Sequence, residues 1–511
     1  MCKKILIVLA AMLTMTACTK DFEEINVNPR VPSKVPNDYL LSQSMLLLTG
    51  SAGDPGYKSW RANFIYAACM MQQMASVEVT FYRGTVYTFQ GDLSAAYYES
   101  SYPNSIKNLV NLIELASEDP NEVNILSMAR ILRVIEMANL TDIYGDVPYF
   151  EAGRGFIDNV FSPQFDNQKD IYLDMLKELD EAGSALSESA KLPGDGGDAD
   201  FVYFGDLDKW RRAANTYMLR LAMRMQKADP ETAKTWVAKA ISKGIMQSND
   251  DTFAMHFSNT GAGNNSNSNS WNLGVGRGIA TSDNIQWAAT FIDMMKERND
   301  PRLSSISALK NDDRTPENQR GIPSGTDATA LNSLPFTELA DYSRAAPNMY
   351  ALDVPQILLT YAESQLLLAE AIERGWASSG SAADAFMKAQ VAGAMQVNAM
   401  GGTVSQEQAM AYAEGNAYPE SGSLDEKVKA IQTELYLVNG SVLNHIEAWA
   451  DWRRTGYPTL IPVNYPGNET NGTIPRRLRY PQSEYGVNPH LDEAISRQGA
   501  DSFTTRMWWD K

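Results

Sequence analysis

The residues of this chain that could carry catalysis are few and scattered. Its three histidines are His256, His445 and His490, and none of them has the spacing of zinc ligands. The sequence also lacks the His-Glu-x-x-His, Gly-x-Ser-x-Gly and phosphate-loop motifs that hold metals, nucleophiles and nucleotides. A pair of carboxylates for glycoside hydrolysis remains possible among the 62 acidic residues, because such a pair is defined by its distance in the fold and not by its spacing in the sequence. The sequence therefore favours a protein that is not an enzyme, with a glycoside hydrolase as the alternative.

Two glycine-rich segments have a partial likeness to ligand loops. The segment Gly274 to Gly278 resembles a nucleotide-binding loop, but the sequence predicts no strand and helix on either side of it. The acidic segment Leu192 to Asp200 could hold calcium, yet it lacks the twelve-residue pattern with a terminal glutamate. We expect a solvated turn there and no cofactor, with a structural calcium ion as the lesser alternative.

Cys18 is the residue with the most distinctive chemistry. Lys3 and Lys4 precede an apolar run, Ile5 to Ala17, that stops at this cysteine. A helix of about 13 residues spans roughly 20 Å, less than the hydrocarbon core of about 30 Å, so the run predicts a cleaved signal peptide over residues 1–17. The residues before Cys18 are similar to the lipobox of bacterial lipoproteins, in which the cysteine is acylated. We therefore expect a stable lipid anchor at Cys18.

The remaining cysteines and the charge balance exclude several classes of protein. Cys2 leaves with the signal, so Cys69 is the one remaining thiol, and no internal disulfide can form. Removing Lys3 and Lys4 leaves 42 basic against 62 acidic side chains, a net charge of −20. Such a surface repels nucleic acid.

The residues after Cys18 carry a second export feature. The acidic cluster Thr19 to Glu24 resembles the signal that sends lipoproteins of Bacteroidetes-type bacteria to the outer face of the outer membrane. We interpret residues 18–36 as an acylated N-terminus and export linker of a protein exposed on the cell surface. A merely solvated acidic linker is the alternative.

Helical periodicity dominates the mature chain. Ile125, Met128, Ala129 and Leu132 fall on one helical face, and similar patterns recur in pairs over about 95–143, 168–228, 355–399 and 423–455. Asp206 or Asp208 can cap one helix, and Pro355 suits the first turn of another. This pattern predicts an all-α solenoid of helical hairpins.

Irregular segments interrupt the helices of what we expect to be a single domain, residues 37–511. Loop-rich insertions are expected around 256–283, which is rich in Gly, Asn and Ser, and around 310–349. The β-branched and aromatic residues between Thr80 and Phe89 predict short strands.

Blocks of sequence along the whole mature chain resemble the SusD and RagB family of outer-membrane nutrient-binding lipoproteins. The blocks occur in the family's order: Thr141 to Tyr149, Asp208 to Arg224, Asn299 to Leu303, Tyr361 to Trp376, Glu447 to Gly456, Ile474 to Pro481 and Thr505 to Lys511.

The resemblance implies an all-α scaffold of tetratricopeptide-like hairpins with a long-loop ligand-binding face. Proteins of this kind capture oligosaccharides, or in some cases peptides, and deliver them to a SusC-like TonB-dependent transporter in the outer membrane. A surface-anchored adhesin would share the lipid anchor and the helices, and it remains an alternative.

Ligand contacts are expected where aromatic residues meet loops. A sugar ring has an apolar face that stacks on Trp or Tyr and a hydroxyl rim that needs polar partners. Trp271 and Asn272 follow the Asn/Ser tract Asn264 to Ser270, and that tract has little apolar area to secure it in a core. The predicted contacts are Trp271, Asn272, Arg277, Tyr82, Arg83 and Tyr87, with Trp60 and Trp287 as weaker candidates in apolar helical patterns.

Other prominent residues are predicted to build the core. Trp449, Trp452, Trp508 and Trp509 lie at helical or terminal positions and are expected to be core anchors. Arg453, Arg454, Arg476 and Arg477 are expected to pair internally with carboxylates or carbonyls.

Overall fold

Antiparallel helical hairpins make up most of the computed structural model, which describes residues 35–51, 56–258, 265–273 and 284–511. The first half contains α1 (Asn37–Leu48), the π-helical α2 (Gly56–Ala68), α3 (Gly91–Ser100), α4 (Lys107–Ser117), α5 (Val123–Tyr144), α6 (Gln168–Ala185), α7 (Leu207–Arg224), α8 (Pro230–Lys243) and α9 (Ser268–Leu273). The second half contains α10 (Ala289–Glu297), α11 (Tyr361–Glu373), α12 (Ala382–Gln396), α13 (Gln406–Gly415), α14 (Leu424–Ser441), α15 (His445–Thr455) and α16 (His490–Gln498).

Strands are short and pair only in twos among the described residues. They are β1 (Met74–Ala75), β2 (Phe253–Met255), β3 (Gln286–Trp287), β4 (Ser307–Ala308), β5 (Arg344–Ala345) and β6 (Gln356–Leu359). All three pairs, β1 with β3, β2 with β6 and β4 with β5, are antiparallel. The fold is therefore all-α with minor strands, as the periodicity predicts.

Local sequence signals fix where the helices begin. Asp206, one of the two predicted caps, accepts a hydrogen bond from the Lys209 N–H at the start of α7. Ser405 and Ser423 form complete capping boxes with Gln408 and Glu426. These caps satisfy backbone donors that a helix cannot satisfy internally.

The helices pack as two runs of neighbouring hairpins. Helices α4 to α8 each contact the next one, and α11 to α13 and α14 to α15 do the same. Helix α7 contacts α11 and so joins the runs. No helix among the described residues is long and apolar enough to cross a membrane.

The predicted core residues lie in the core. Trp449 and Trp509 are fully buried, Trp452 and Trp508 pack partly buried against the same cluster, and Cys69 is buried as well. Arg454 forms a two-pronged ion pair with Glu370 at 2.9 Å. Arg453 donates to the backbone carbonyls of Asp142 and Arg476, Arg476 pairs with Asp510, and Arg477 pairs with Asp501.

Two local predictions are wrong. Residues 80–89 form turns and a short 3-10 segment, and the extended pairing occurs just before them, at β1. Pro355 does not open a helix, because residues 356–359 form β6 against β2 and α11 begins only at Tyr361, capped by Thr360. In both places the pairing partner is distant in sequence, so local composition does not reveal it.

Candidate ligand-binding face

The pairing of β1 with β3 brings together the two regions in which ligand contacts are predicted. Met74 lies opposite Trp287 and Ala75 opposite Gln286. The antiparallel register places the chain that follows Ala75 beside the chain that precedes Gln286. Ser76, directly after β1, therefore lies beside Ile285, directly before β3.

A third segment joins the same surface. The Ile322 N–H donates to the Trp287 carbonyl at 2.9 Å, and the Trp287 N–H donates to the Ser343 carbonyl at 2.8 Å. A separate apolar cluster fills the space between the segments: Ala75, Val77, Ala288, Ile322, Leu331 and Tyr342. We call residues 76–90, 284–288 and 316–343 together the loop layer. Its own small core makes it an ordered surface, although it contains little regular structure.

Half-buried aromatic rings lie where the loop layer meets α2. The rings of Trp60 and Phe81 are 4.7 Å apart at 34°, and Phe81 makes an edge contact with Tyr82 at 5.8 Å. The Trp60 Nε1–H donates to the Tyr82 hydroxyl at 3.2 Å. Trp60 and Phe81 both keep part of their surface in contact with solvent, whereas Tyr82 is buried. The pair thus presents an apolar platform of fixed orientation.

Two arginines adjoin these rings in the sequence, Arg61 next to Trp60 and Arg83 two residues after Phe81. The Arg61 guanidinium is 4.2 Å from the centre of the Tyr57 ring, one helical turn from Trp60. Arg83 is half-buried, and its Nη1 donates to the Thr88 hydroxyl at 3.4 Å. Aromatic faces beside guanidinium donors can hold a ring-shaped polar ligand by stacking and by hydrogen bonds to its rim.

The Asn/Ser tract is secured differently from the prediction. Residues Asn267 to Ser270 are buried, and hydrogen bonds hold them: Asn267 donates to Val354 and Ser268 to Thr49. Ser59 of α2 donates to Asn269 at 2.5 Å, which fixes α9 beside Trp60. A polar tract can therefore be packed when backbone carbonyls satisfy its side chains. Trp271 and Asn272 lie in α9, but their side chains fall outside the described residues, as does all of Arg277.

Two of the predicted ligand contacts are buried beneath the loop layer. Trp287 is fully buried, its ring stacks on Phe291 at 5.2 Å, and its Nε1–H donates to the Ile306 carbonyl. Tyr87 is 1% exposed, and its hydroxyl accepts from the Val463 N–H at 3.2 Å. Burial raises the pKa of Tyr87. These rings support the loop layer and offer no open face for stacking, which corrects both predictions. The burial of Tyr82 likewise makes its ring a support for Phe81.

Sequence reasoning missed two residues of the surface. Phe81 is the partner of Trp60, but it sits in a segment interpreted as strand. Phe336 is 41% exposed in the loop layer, and the Arg320 guanidinium lies 4.0 Å from its ring centre. The irregular stretch around Phe336 has no periodicity, so nothing in the local sequence marks this ring as exposed.

The acidic segment Leu192 to Asp200 has a structural role at its end. Asp200 is fully buried, and its carboxylate accepts hydrogen bonds from Val202, Tyr203 and Gly205 N–H groups and from Trp210 Nε1–H. The expected solvated turn is therefore wrong at Asp200. In the part of the chain that the structure describes, no group of His, Cys, Asp or Glu could hold a metal ion.

Comparison with known proteins gives a consistent result. The profile of the SusD-like family, described as starch-binding and associating with the outer membrane, matches residues 32–481. A chitin-binding protein of known structure is 31% identical, with a TM-score of 0.81 over 93% of this chain and 100% of its own. A SusD homologue from Bacteroides uniformis is 25% identical, with a TM-score of 0.74 over 93% of this chain and 99% of its own.

A more distant structure shares the fold. A chitin-binding SusD homologue from Flavobacterium johnsoniae is 23% identical, with a TM-score of 0.76 over 93% of this chain and 99% of its own. No curated protein matches the chain significantly. The family profile thus matches residues 32–481, and the structural similarity covers 93% of this chain.

Proposed function

The chain belongs to the SusD-like family, and from this membership we propose that it is a non-catalytic, glycan-binding lipoprotein of the outer membrane. It is anchored through Cys18, captures oligosaccharides at the loop layer, and delivers them to a SusC-like TonB-dependent transporter. The observation that carries the binding role is the Trp60–Phe81 pair, which is half-buried and keeps part of its surface in contact with solvent where the loop layer meets α2.

We propose a chitin oligosaccharide as the ligand. The relative that is 31% identical over 93% of this chain is a chitin-binding protein, whereas the family description names starch. The apolar ring faces of such sugars suit the apolar faces of the Trp60–Phe81 pair, and Arg61 and Arg83 can donate to their polar rims. Starch fragments and peptides are the competing ligands that a binding experiment must separate.

Calorimetric titration of the soluble chain with chitin oligosaccharides, starch oligosaccharides of equal length and peptides tests the proposal. Chitin fragments should bind, and Trp60→Ala should weaken that binding by roughly 5- to 150-fold, from the loss of about 1–3 kcal/mol of stacking. Trp236→Ala is the matched control, because Trp236 is another half-buried tryptophan but lies on α8, beneath Lys239. Binding of starch or peptide alone would overturn the ligand class, and equal losses in both variants would overturn the site.

The same titrations address Trp271, which stays a predicted contact. Trp271→Ala should weaken binding by a similar factor while the melting temperature barely changes. Unchanged affinity with a large fall in melting temperature would identify Trp271 as a packing residue.

Product analysis separates binding from catalysis. Prolonged incubation with chitin oligosaccharides should leave their length unchanged. Shortened products would support the alternative, a glycoside hydrolase. An adhesin would be favoured instead if gentle detergent purification from native membranes yielded the lipoprotein without any large β-barrel protein.

A further inference from the structure

A surface loop far from the Trp60–Phe81 pair in sequence exposes three phenylalanines. Phe156 is 92% exposed, Phe161 80% and Phe150 48%. We call residues 149–166 the phenylalanine loop. Exposure of large apolar rings to water is unfavourable, and a cluster of them on a monomer marks a surface that another molecule covers.

The phenylalanine loop is held in one conformation. The Asp166 carboxylate accepts hydrogen bonds from the Tyr149 and Phe150 N–H groups at 2.9 and 3.0 Å. Glu151 accepts from the Gln164 N–H at 2.8 Å, and Arg154 pairs with Asp158 across the single helical turn Gly155–Asp158. A pre-formed loop binds a shaped recess with little loss of entropy, which favours a folded protein over a fluid lipid surface.

A cleft of about 420 Å³ adjoins the loop. Helices α4 and α5 supply its apolar walls through Val110, Ile113 and Leu126, and Phe150 completes them. Its rim is charged and internally paired: Arg130 contacts Glu178 at 2.8 Å and Glu181 at 2.7 Å. Protruding rings beside an apolar cleft with a polar rim are typical of a surface that binds another protein.

The phenylalanine loop lies near the start of α1, which follows the linker predicted to carry the lipid anchor. Asn37, at the start of α1, donates to Glu122 at 2.5 Å, beside the connection between α4 and α5. Arg154 of the phenylalanine loop lies 3.8 Å from Glu114, near the end of α4 at that same connection. The 17 residues from Cys18 to Lys34 can reach at most about 60 Å, which sets the greatest distance between α1 and the proposed anchor.

We propose that the phenylalanine loop and the adjoining cleft dock onto a folded outer-membrane protein that offers an apolar recess for Phe156 and Phe161. The net charge of −20 after signal removal opposes binding to anionic lipid, so a protein is the occupant that the surface favours. The proposal rests on the proposed function, in which that partner is the transporter.

Purification of the full-length lipoprotein from native membranes in mild detergent tests the surface. The double variant Phe156→Ser/Phe161→Ser should recover at least roughly tenfold less of the β-barrel partner than wild type, as expected for the loss of two central apolar anchors. Ile461→Ser, which changes an 83% exposed residue elsewhere, should recover the partner as wild type does. Calorimetry should give unchanged glycan affinity for both variants.

The possible failures are distinguishable. Equal recovery by the double variant and wild type would overturn the docking surface and leave the proposed function standing. Absence of the β-barrel protein from the wild-type preparation would contradict the proposed function itself. Two further measurements on the soluble chain identify other occupants. Sedimentation would reveal a dimer of the wild-type chain, and vesicles of outer-membrane lipid would reveal its binding to lipid. If the double variant abolished either association, the proposal would be overturned.

Discussion

At the scale of residues, the sequence blocks behind the family resemblance meet in one buried charge network. Arg220 pairs with Glu363 at 2.5 Å, and Arg224 pairs with Asp142 and Glu447. The Asp142 carboxylate also accepts from Trp509 Nε1–H at 2.9 Å. Removing one partner of such a pair typically costs about 3–5 kcal/mol, because it strands a buried charge. These blocks therefore orient α5, α7, α11 and α15 relative to one another.

Residue types alone predicted that the arginines pair internally, but they did not name the partners. Arg454 meets Glu370, which is 84 positions away in the sequence, and no local signal connects them. The same limit explains Trp287 and Tyr87. Tyr87 looks like a loop aromatic in the sequence and Trp287 lies in an apolar helical pattern, but neither pattern shows which distant segments cover the ring.

Asp451 gives this network a pH dependence. Burial, and then the neighbouring carboxylate of Glu447, raise the pKa of Asp451 to about 7. The folded protein therefore keeps a proton that the unfolded chain, with an aspartate pKa near 3.9, has already released. Stability from this group is present below about pH 4 and is lost as the pH rises to about 7.

Replacing Asp451 should remove that dependence. Asp451→Asn cannot titrate, so its free energy of unfolding relative to wild type should rise by about 2–3 kcal/mol between pH 5 and pH 7, at roughly 1.4 kcal/mol per pKa unit. Denaturant unfolding of both proteins at the two pH values measures the difference. Parallel pH profiles would show that Asp451 is already ionised in the folded protein at pH 5.

At the scale of elements, periodicity predicted the long helices well and the loop layer poorly. Helices α4 to α7, α11, α12, α14 and α15 fall within the predicted pairs, because each buries a broad apolar stripe, whereas α13 lies between two of the predicted ranges. Helices α1, α2 and α8 were not predicted. The loop layer depends on the pairing of β1 with β3, which are more than 200 residues apart in sequence, and on the bridge from Ala288 to Ile322, which are 34 residues apart. No pattern within a short window could specify those contacts.

Gly84 shows how tightly the loop layer is fitted to α2. A Cβ at this position would overlap the carbonyl oxygens of Ile65 and Tyr66, which are backbone atoms and cannot simply rotate away. Gly84→Ala should therefore displace residues 81–85, lower the free energy of unfolding by about 1–3 kcal/mol and weaken glycan binding through Phe81. Thermal unfolding and calorimetry measure the two effects.

The control for Gly84 is another glycine with free space. Gly415, at the end of α13, has no atom within 4 Å of a built Cβ, so Gly415→Ala should leave binding unchanged and stability equal or slightly higher. If Gly84→Ala behaves like this control, the loop layer is more adaptable than its contacts indicate.

At the scale of the whole molecule, the proposed binding platform and the proposed docking surface have separate structural bases. The platform depends on α2 and the loop layer, whereas the phenylalanine loop depends on α4, α5 and the turn before α6. Glycan affinity and partner recovery should therefore vary independently between variants of the two surfaces. The sequence predicted the platform's residue types but not the docking surface, because Phe156 and Phe161 look like ordinary apolar residues until their exposure is known.

The proposed lipid anchor would link both surfaces to the membrane through Cys18 alone. Cys18→Ala should give a protein that incorporates no labelled fatty acid and is lost from the outer membrane, because no described helix can replace the anchor. Cys2→Ala is the matched control: this cysteine is predicted to leave with the signal peptide, so its replacement should change neither labelling nor fractionation. Membrane fractionation with fatty-acid labelling measures both variants. If Cys18→Ala stays as firmly attached as wild type, the anchor lies elsewhere, and the position of Cys18 says nothing about how near the phenylalanine loop lies to the membrane.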